Sequence, residues 1–492
     1  MNFINENTSS KGVTKVLMNL ISTFEGSELR QKMRDGHNYY RSENTEIEKR
    51  KMLIYAEDAD GNPYEMEDPY KANNKLASGY LKVLVDQKVN YLLGKPVTID
   101  SKESDVFWEI VGSDFQKELQ KLGKEASKKA VAWLHPYLDK EGQFKYKTIP
   151  SEQVIAFYKP YDENELELVI RYYSIEVFDD GEMVDVGRVE VWDADTVTYY
   201  EKDSKDGLYY LLNEEQMKAM FGRAFENPKA HFQKDLVYGT NVANTKGLSW
   251  GRVPFIKLTN NDDVDYDLQS VKSYIDAYDL VSSDFINNFQ DFQDLYWVLK
   301  GYDGENLADF LYQVKRYKTL KVSEDGDARS ERIDIPFEAR KEAKEGLEAD
   351  IFTFGMGVNP NAIGDGNITN VVIQSRYALL DLKVSDFQAK IDELMQDWMY
   401  FVNFYAKMTG RKEIVFDNLT YNKSLIFNEN EMLETNAKQK GIVSEYTRLS
   451  NHVWVDSVED EKKLMEDELT NRVPDLTLID DDAEGDDDGN EG

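Results

Sequence analysis

The sequence predicts an α+β fold in which an antiparallel sheet is followed by two long amphipathic helices. Residues 148–212 contain short runs rich in β-branched and aromatic residues, separated by acidic turn clusters. Apolar residues then recur at steps of three and four over 268–299 and again over 373–408. Because the chain has 492 residues, 41% of them apolar, it has enough material for two to four domains with real cores.

The first half of the chain combines helices with the sheet. Residues 1–50 indicate helix and loop, and the apolar spacing of 71–93 predicts a helix that the following GKP ends. A second helix is predicted over 114–135. Its apolar stripe consists of Phe115, Leu119, Leu122, Ala126 and Trp133. The runs VIAFY, LELVIRYY, RVEVWD and TVTYYEK predict an antiparallel meander. Residues 213–250 indicate a helix and a long irregular insert, and RVPFIKLTNN predicts one more strand.

The second half is dominated by the two helical patterns. The second pattern extends over about 36 residues, so at 1.5 Å per residue it predicts a rod about 54 Å long. Thr369 or Asn370 is a suitable N-cap, and Gly410 is a suitable C′ residue. The first pattern consists of Leu268, Val271, Ile275, Tyr278, Ser282, Phe285, Phe289, Phe292, Tyr296 and Leu299. The second consists of Ile373, Tyr377, Leu380, Val384, Phe387, Ile391, Leu394, Trp398, Phe401, Tyr405 and Met408.

Shorter segments lie between and after these patterns. Residues 300–335 contain two DG turns and the basic run KRYKTLK, and PFEARKEAKEGLEADIF predicts a shorter helix. Residues 411–475 contain two strand-like runs, EIVFDN and KSLIFN, followed by helices. From Asp480 to Gly492 eight of thirteen residues are acidic and none is basic, which predicts disorder.

Composition excludes several classes of function. Ninety-three acidic residues against 59 basic ones give a formal net charge of −34, so the surface cannot grip nucleic acid by general neutralisation of phosphates. Without cysteine there are no disulfides or thiolate metal sites, and the four histidines lack helical zinc-site spacing. The sequence contains no signal-peptide pattern and no run of about 18 apolar residues. We therefore expect a chain that is not secreted and does not span a membrane.

The glycine-rich stretch FGMGVNPNAIGDGNITN, residues 354–370, raises the question of a phosphate cradle. A Walker loop needs a lysine directly after its last glycine, but the next lysine here is Lys383. No predicted strand precedes the stretch, so the dinucleotide-binding fingerprint also lacks its setting. A flexible connector is the plain alternative.

Two acidic clusters have the spacing of magnesium ligands, EDAD at 57–60 and NNDDVDYD at 260–267. They allow a magnesium-dependent phosphodiesterase or nuclease. Both clusters also lie in turn-like contexts, where aspartate bonds to the local backbone. No G-x-S-x-G nucleophile motif occurs. We assign no catalytic residue, no metal ligand and no cofactor from the sequence.

Three segments in order resemble one family: KANNKLASGYLKVLVDQKVNYLLGKPVTI, then VPFIKLTNN leading into DLQSVKSYIDAYDLVSSDFINNFQDFQDLYWVLKGY, and the long helix after AIGDGNITN. From about residue 35 to 470 the chain resembles the portal proteins of tailed bacteriophages with long non-contractile tails. The resemblance implies an α+β, portal-type fold with an α/β wing, long stem helices, a small α/β clip, a long wing helix and a helical C-terminal crown.

The family layout also implies a division of the chain. In order, the expected parts are an N-terminal segment (1–50), the wing with its helices and meander (51–267), a stem helix (268–293), the clip (294–335), a second stem helix (336–356), the tunnel loop (357–370), the long wing helix (371–410), wing strands and crown helices (411–475), and a disordered acidic tail (476–492).

The resemblance implies a structural role rather than an enzymatic one. About twelve copies would form a ring at one capsid vertex, with a channel for packaging and ejecting double-stranded DNA. Expected partners are the terminase, head-completion or adaptor proteins, and the major capsid and scaffold proteins, with no membrane. The expected location is the virion, and the host cytoplasm during assembly. The alternatives are the magnesium-dependent phosphodiesterase and a helical scaffold protein that forms no ring.

The resemblance also suggests which residues meet DNA or partners. Glycines at 355, 357, 364 and 366 would allow hinge motion in the tunnel loop, and asparagines there would offer neutral hydrogen bonds. The residues expected to face the channel are Asn359, Asn361, Gly364, Asp365, Gly366, Asn367 and Asn370. The basic residues expected on the clip surface or the lower channel wall are Lys315, Arg316, Lys318 and Lys321.

Overall fold

The computed structural model describes most of the chain in two units. The described residues are 10–57, 62–68, 71–179, 181–222, 225–238, 241–291, 296–300, 327–331, 337–363, 369–423, 434, 436–450, 452, 455 and 458–472. The first unit comprises Met1–Pro360 and Ala378–Ser424, and the second comprises Asn361–Tyr377 and Leu425–Gly492. Helices and strands are mixed throughout the first unit, as the sequence predicts.

The helices in chain order are α1 (Ser10–Glu25), α2 (Glu28–Tyr40), α3 (Thr45–Glu48), α4 (Tyr80–Leu93), α5 (Ser104–Val111), α6 (Asp114–Lys129), α7 (Glu214–Phe221), α8 (Lys272–Asp291), α9 (Phe337–Phe354), α10 (Asn370–Met408), α11 (Glu445–Ser450) and α12 (Val458–Arg472). Two short 3₁₀ helices span Ser151–Gln153 and Pro360–Ile363.

The strands are β1 (Leu53–Glu57), β2 (Pro63–Glu67), β3 (Thr98–Asp100), β4 (Val131–Leu138), β5 (Phe144–Ile149), β6 (Val154–Lys159), β7 (Asp162–Asp179), β8 (Glu182–Trp192), β9 (Thr196–Lys202), β10 (Tyr209–Leu211), β11 (Lys229–Ala230), β12 (Phe232–Tyr238), β13 (Asn241–Leu248), β14 (Ile256–Thr259), β15 (Tyr296–Lys300), β16 (Asp327–Glu331) and β17 (Asn418–Thr420).

The predicted meander is confirmed as the largest sheet described. Its strand order is β10-β9-β8-β7-β6, with β11 paired to β9, and all of these pairs are antiparallel. Alternate side chains enter different cores because successive strand residues point to opposite faces. On β7, Val169 packs in a core with Trp133 and Trp192. Its neighbour Ile170 packs in a second core against Leu17 and Ile21 of α1.

The predicted helix over 114–135 is too long. Helix α6 ends at Lys129, and Ala130 has a left-handed φ of 69° that breaks it. Trp133 therefore lies on β4, in a three-stranded antiparallel sheet of order β14-β4-β5. The run VAWLHPYL, rich in aromatic and branched residues, favours a strand over helix continuation.

Helix α10 confirms the second long pattern. It has 39 residues and is therefore about 58 Å long. Gly410, with φ 73°, follows its C-terminus, and the Arg411 amide donates to the Ala406 carbonyl, as in a Schellman cap. Within the first unit its apolar stripe is buried inside the chain. Trp398 stacks on Phe115 of α6, with ring centroids 5.7 Å apart.

Three other expectations need correction. The first long pattern is not one helix, because α8 ends at Asp291 and the last two pattern residues lie on strand β15. The insert after α7 is not wholly irregular, since β12 and β13 form an antiparallel hairpin. In the run EIVFDN only its last residue, Asn418, belongs to a strand.

Among the described residues no helix combines the length and apolar character needed to cross a membrane.

Candidate functional site

The described residues include three of the seven expected channel residues. Asn359 follows α9, Asn361 lies in the 3₁₀ turn Pro360–Ile363, and Asn370 begins α10. Positions 364–367 lie outside the described residues, as do Lys315, Arg316, Lys318 and Lys321 and the acidic tail. The structure describes the start of the loop and the helices that support it.

The two helices predicted for the stem pack as an antiparallel pair. Near the start of α8, Tyr274 stacks on Phe354 at the end of α9, with centroids 5.0 Å apart. Further along α8, Phe285 meets Phe337 at the start of α9 edge to face, at 5.7 Å. These two contacts define the antiparallel direction and keep the helices aligned along their lengths.

Tyr80, the first residue of α4, contacts both helices of this pair. Its ring lies edge to face with Tyr278 of α8 at 4.9 Å and with Phe352 of α9 at 5.9 Å. Burial, a hydrogen bond to Tyr278 and nearby acidic charges raise the pKa of the Tyr80 hydroxyl. The hydroxyl therefore stays protonated at neutral pH, and α4 is joined to the helix pair.

An extended segment before α4 binds along α8 through side chains of the helix. Backbone amides of Asn74, Leu76 and Ser78 donate to the side chains of Asn287, Ser283 and Asp279 respectively, at 2.7, 2.9 and 2.9 Å. All three acceptor residues are buried. Alternate residues of an extended chain advance about as far as four residues of a helix, so the two periods match. Polar side chains on this face of α8 thus accept the backbone hydrogen bonds that a neighbouring strand would accept in a sheet.

The end of α9 is capped by a Schellman motif with an unusual central residue. The Gly357 amide donates to the Phe352 carbonyl at 2.8 Å, and the Met356 amide donates to the Thr353 carbonyl at 3.2 Å. Met356 occupies the left-handed position, with φ 53°, where glycine is the common choice. The glycines flank this position instead of occupying it.

The structure gives Gly355 and Gly357 a different purpose from the expected hinge. A Cβ on Gly355 would lie 2.6 Å from the Ile351 carbonyl oxygen and 2.6 Å from a Leu84 methyl. A Cβ on Gly357 would lie 2.4 Å from the other Leu84 methyl. The chain passes directly against α4, so a side chain at Gly355 would meet backbone as well as Leu84, and one at Gly357 would displace the Leu84 side chain. Neither glycine adopts a left-handed backbone.

Gln87, one turn after Leu84 on α4, bonds the same segment in both directions. Its side-chain nitrogen donates to the Val358 carbonyl at 2.7 Å, and its side-chain oxygen accepts from the Val358 amide at 3.0 Å. The amide side chain thus satisfies both backbone groups of one loop residue. We call residues 355–358 the loop root.

Next to the loop root lies a buried charged cluster. The Asp267 carboxylate is 3.3 Å from Lys88 Nζ of α4 and 3.3 Å from Lys383 Nζ of α10. Lys383 also donates to the Gly355 carbonyl at 2.9 Å, and Asn260 bonds both Lys88 and Asp267. The side chains of Lys88 and Asp267 are 1% and 2% exposed, so these charges are held by one another rather than by water.

The pKa values in this cluster follow from burial and from the shared charges. Burial lowers the pKa of Lys88 to about 8, against the attraction of Asp267, so the lysine is mainly protonated at neutral pH. Burial alone would raise the pKa of Asp267, but the charges of Lys383 and Lys88 outweigh it and hold that pKa below its usual value. Two cations thus share one carboxylate.

The acidic run 260–267 is distributed among ion pairs. Asp262 lies 2.6 Å from Lys390 of α10, Asp265 lies 2.7 Å from Lys32 of α2, and Asp267 belongs to the buried cluster. In the part of the chain that the structure describes, no group of acidic or histidine side chains could hold a metal ion. Of the other run, 57–60, all but its first residue lies outside the described residues.

The sequence did not indicate Gln87, Asp267 or Lys383 as a group. In the sequence, Asp267 stands out only as part of an acidic run, and Lys383 only as a lysine too distant for a Walker loop. A signal was present, because Lys88 falls among the apolar residues of α4 and Lys383 adjoins the apolar stripe of α10. A charged residue at such positions indicates a buried ion pair.

Comparison with known proteins identifies relatives along nearly the whole chain. The family model described as phage portal protein, SPP1 Gp6-like, matches residues 25–475. The chain is 31% identical over 477 residues to the portal protein of Bacillus phage SPP1, covering 93% of this chain and 89% of that protein. It is 29% identical over 458 residues to the portal protein of Clostridium phage phiCD119, covering 88% and 92%.

A solved structure also aligns with the chain. It is a chain from the neck of an empty GTA particle computed with C6 symmetry, at 10% identity, covering 79% of this chain and 90% of that one. The TM-score is 0.37, so this likeness carries no argument about the present protein.

Proposed function

The chain belongs to the SPP1 Gp6-like family of phage portal proteins, and from that premise we propose that it forms the DNA channel at one capsid vertex. About twelve copies would close into a ring through which DNA is packaged and later ejected. The observation that carries this proposal is the family match over residues 25–475, supported by 31% identity to the SPP1 portal protein.

In this proposal the helix pair α8 and α9 forms the stem, residues 294–335 form the clip, and residues 357–370 form the tunnel loop. Helix α10 forms the long wing helix, residues 411–475 contribute wing strands and the crown, and 51–267 form the rest of the wing. The antiparallel packing of α8 on α9 supports this assignment, because it returns the chain from the clip to the loop.

Exposed apolar residues on two hairpins support assembly with further copies of the chain. At the tip of the β7–β8 hairpin, the cross-strand pair Phe178 and Met183 is 71% and 59% exposed. On the β1–β2 hairpin, the cross-strand pair Ile54 and Met66 is also exposed. These apolar pairs would be covered if the hairpins contacted a neighbouring copy. Ring closure requires a heterologous interface, in which each copy offers two different faces.

The acidity of the chain suits a conduit for a polyanion. Each copy carries a formal charge of −34, so a ring of about twelve would carry roughly 400 negative charges. Phosphates would be repelled from an acidic channel rather than bound. Asn359, Asn361 and Asn370 would offer DNA only neutral hydrogen bonds, which release readily.

The clip would provide the platform for partner proteins. We propose that Lys315, Arg316, Lys318 and Lys321 contribute to the surface that meets the terminase and then the head-completion or adaptor proteins, or to the lower channel wall. The chain would also contact the major capsid and scaffold proteins. Energy for translocation would come from an ATPase on another chain, and this chain would hydrolyse nothing.

Electron microscopy of the purified chain tests the assembly. We expect annular particles with a central hole, and only monomers over a wide concentration range would contradict the proposal. The loop is tested by replacing Gly364 and Gly366 together with valine. Rings should form normally while the yield of DNA-filled heads falls, and normal packaging by this variant would remove the role assigned to the loop.

A further inference from the structure

We infer that Gln87 and Lys383 are positioning residues that fix the loop root, residues 355–358, against helices α4 and α10. The inference rests on the proposed function of the tunnel loop, because it concerns how that loop is held while DNA passes. Gln87 lies on α4 and Lys383 lies on α10. They act on the loop through the backbone of Gly355 and Val358.

Three independent contacts converge on the loop root. Gln87 bonds both the amide and the carbonyl of Val358. Leu84, on the same face of α4, packs so closely on Gly355 and Gly357 that a Cβ at either position would lie within 2.6 Å of a Leu84 methyl. A four-residue segment with bonds at both ends and close packing between them cannot act as a hinge. Movement of the loop must begin after Val358 or break these bonds.

The third contact connects the loop root, which follows α9, to the segment that leads into α8. Asp267 lies five residues before α8, where the chain enters the predicted stem, and its amide donates to the Ser127 carbonyl at 2.9 Å. Lys383 bridges this carboxylate and the Gly355 carbonyl, where the chain leaves α9. One lysine therefore ties the entry into the helix pair to its exit.

The burial of this bridge makes it rigid. The Lys383 side chain is 15% exposed, and the Asp267 side chain is 2% exposed. A buried charge without its partner is strongly unfavourable, so the cluster has one favoured arrangement. A shift of α10 along its axis would then move the loop root with it, which would couple the long helix to the channel.

Hydrogen exchange in assembled rings directly tests whether Gln87 and Lys383 fix the loop root; we call these two residues and their bonds the clamp. Gln87→Ala removes the acceptor for the Val358 amide, and we expect that amide to exchange about ten-fold faster. The matched control is Gln116→Ala. Gln116 on α6 makes the same two-way bond, donating to the Leu93 carbonyl at 2.8 Å and accepting from the Val97 amide at 3.2 Å. This control should accelerate exchange at Val97 and leave 355–358 unchanged.

Phage assembly provides the second readout. At equal incorporation of rings into heads, we expect several-fold fewer DNA-filled heads with Gln87→Ala than with Gln116→Ala. Lys383→Met should show the same loss, and Lys383→Arg, which keeps a donor for the Gly355 carbonyl, should restore packaging. If Lys383→Met fails to fold, the Gln87 comparison still decides the matter.

The outcomes separate this inference from the proposed function. Equal exchange at Val358 in Gln87→Ala and wild-type rings would overturn the clamp. So would equal packaging by Gln87→Ala and Gln116→Ala while the Gly364 and Gly366 double variant fails to package, and the proposed loop function would then stand. Normal packaging by that double variant would overturn the loop function, and the inference with it.

Discussion

Asn74 and Asn287 are joined by three hydrogen bonds, although 213 residues separate them in the sequence. The Asn287 side chain accepts from the backbone amide and the side-chain amide of Asn74 and donates to the Asn74 carbonyl. A single side chain on α8 therefore satisfies the backbone of one residue in the extended segment. Of the three contacts that attach the extended segment to α8, this one lies nearest the C-terminal end of the helix.

Replacing this side chain should cost measurable stability. Asn287 is 2% exposed, and Asn287→Ala removes the partners of the backbone amide and carbonyl of the partly buried Asn74. We expect the free energy of unfolding to fall by about 2 kcal/mol. Urea unfolding measures the change. The neighbouring Asn288, which makes none of these bonds, supplies the control, and a similar loss in Asn288→Ala would contradict the specific role of Asn287.

Two glycines, one within α9 and one directly after its last residue, should respond to alanine with opposite signs. Gly346 lies exposed within α9 and a Cβ there meets nothing, so Gly346→Ala should stabilise the helix by about 1 kcal/mol. Gly355→Ala places its Cβ 2.6 Å from a carbonyl oxygen and a Leu84 methyl, and it should destabilise by about 2 kcal/mol. Thermal unfolding of the two variants checks the signs. A stabilised Gly355→Ala would show that the approach to α4 is not close.

Much of the fold follows from local pattern, and the site does not. The meander and α10 are predicted because period and turn residues are properties of neighbouring residues. The error at Trp133 has a local cause, since a helical spacing continues by chance into a strand after Ala130. The loop root could not be predicted, because the fit of Gly357 against Leu84 and the bridge from Lys383 to Asp267 depend on residues far apart in the chain. The glycine content suggests a flexible backbone, whereas in the structure Gly355 and Gly357 allow the chain to pass close to Leu84.

His135 should make the stability depend on pH in mildly acidic conditions. Burial lowers its pKa to about 3, while the ring Nδ1 lies 2.6 Å from the Pro254 carbonyl oxygen. The unfolded chain binds a proton below about pH 6.5 and the folded chain does not. The stability that the neutral ring provides is therefore present above pH 6.5 and is lost as the pH falls toward 3, by about 1.4 kcal/mol per pH unit.

A histidine replacement checks this dependence. In His135→Gln, the drop in unfolding free energy between pH 6 and pH 5 should be smaller by about 1 kcal/mol than in the wild type. His231→Gln should behave similarly, because burial lowers the pKa of His231 to about 4. The slope is the readout, so a constant loss of stability in either variant does not affect the comparison. Parallel pH curves for His135→Gln and wild type would contradict the prediction.

Two aspartates in one short segment should differ sharply when their charges are removed. Asp267 lies between Lys88 and Lys383, and its side chain is 2% exposed. Asp267→Asn leaves two ammonium groups near each other without a counter-charge, one of them fully buried. Removing one partner of a buried ion pair costs about 3–5 kcal/mol, and we expect a loss of unfolding free energy in that range.

Asp262→Asn provides the matched control, with the same change of chemistry five residues earlier. Asp262 pairs with Lys390 at 2.6 Å, but its side chain is 88% exposed, so the loss should stay below about 1 kcal/mol. Urea unfolding of both variants measures the two losses of unfolding free energy. Equal losses would mean that the segment acts as a general acidic surface. Because Asp267 holds the lysine that reaches Gly355, Asp267→Asn should also accelerate hydrogen exchange at the loop root, whereas Asp262→Asn should not.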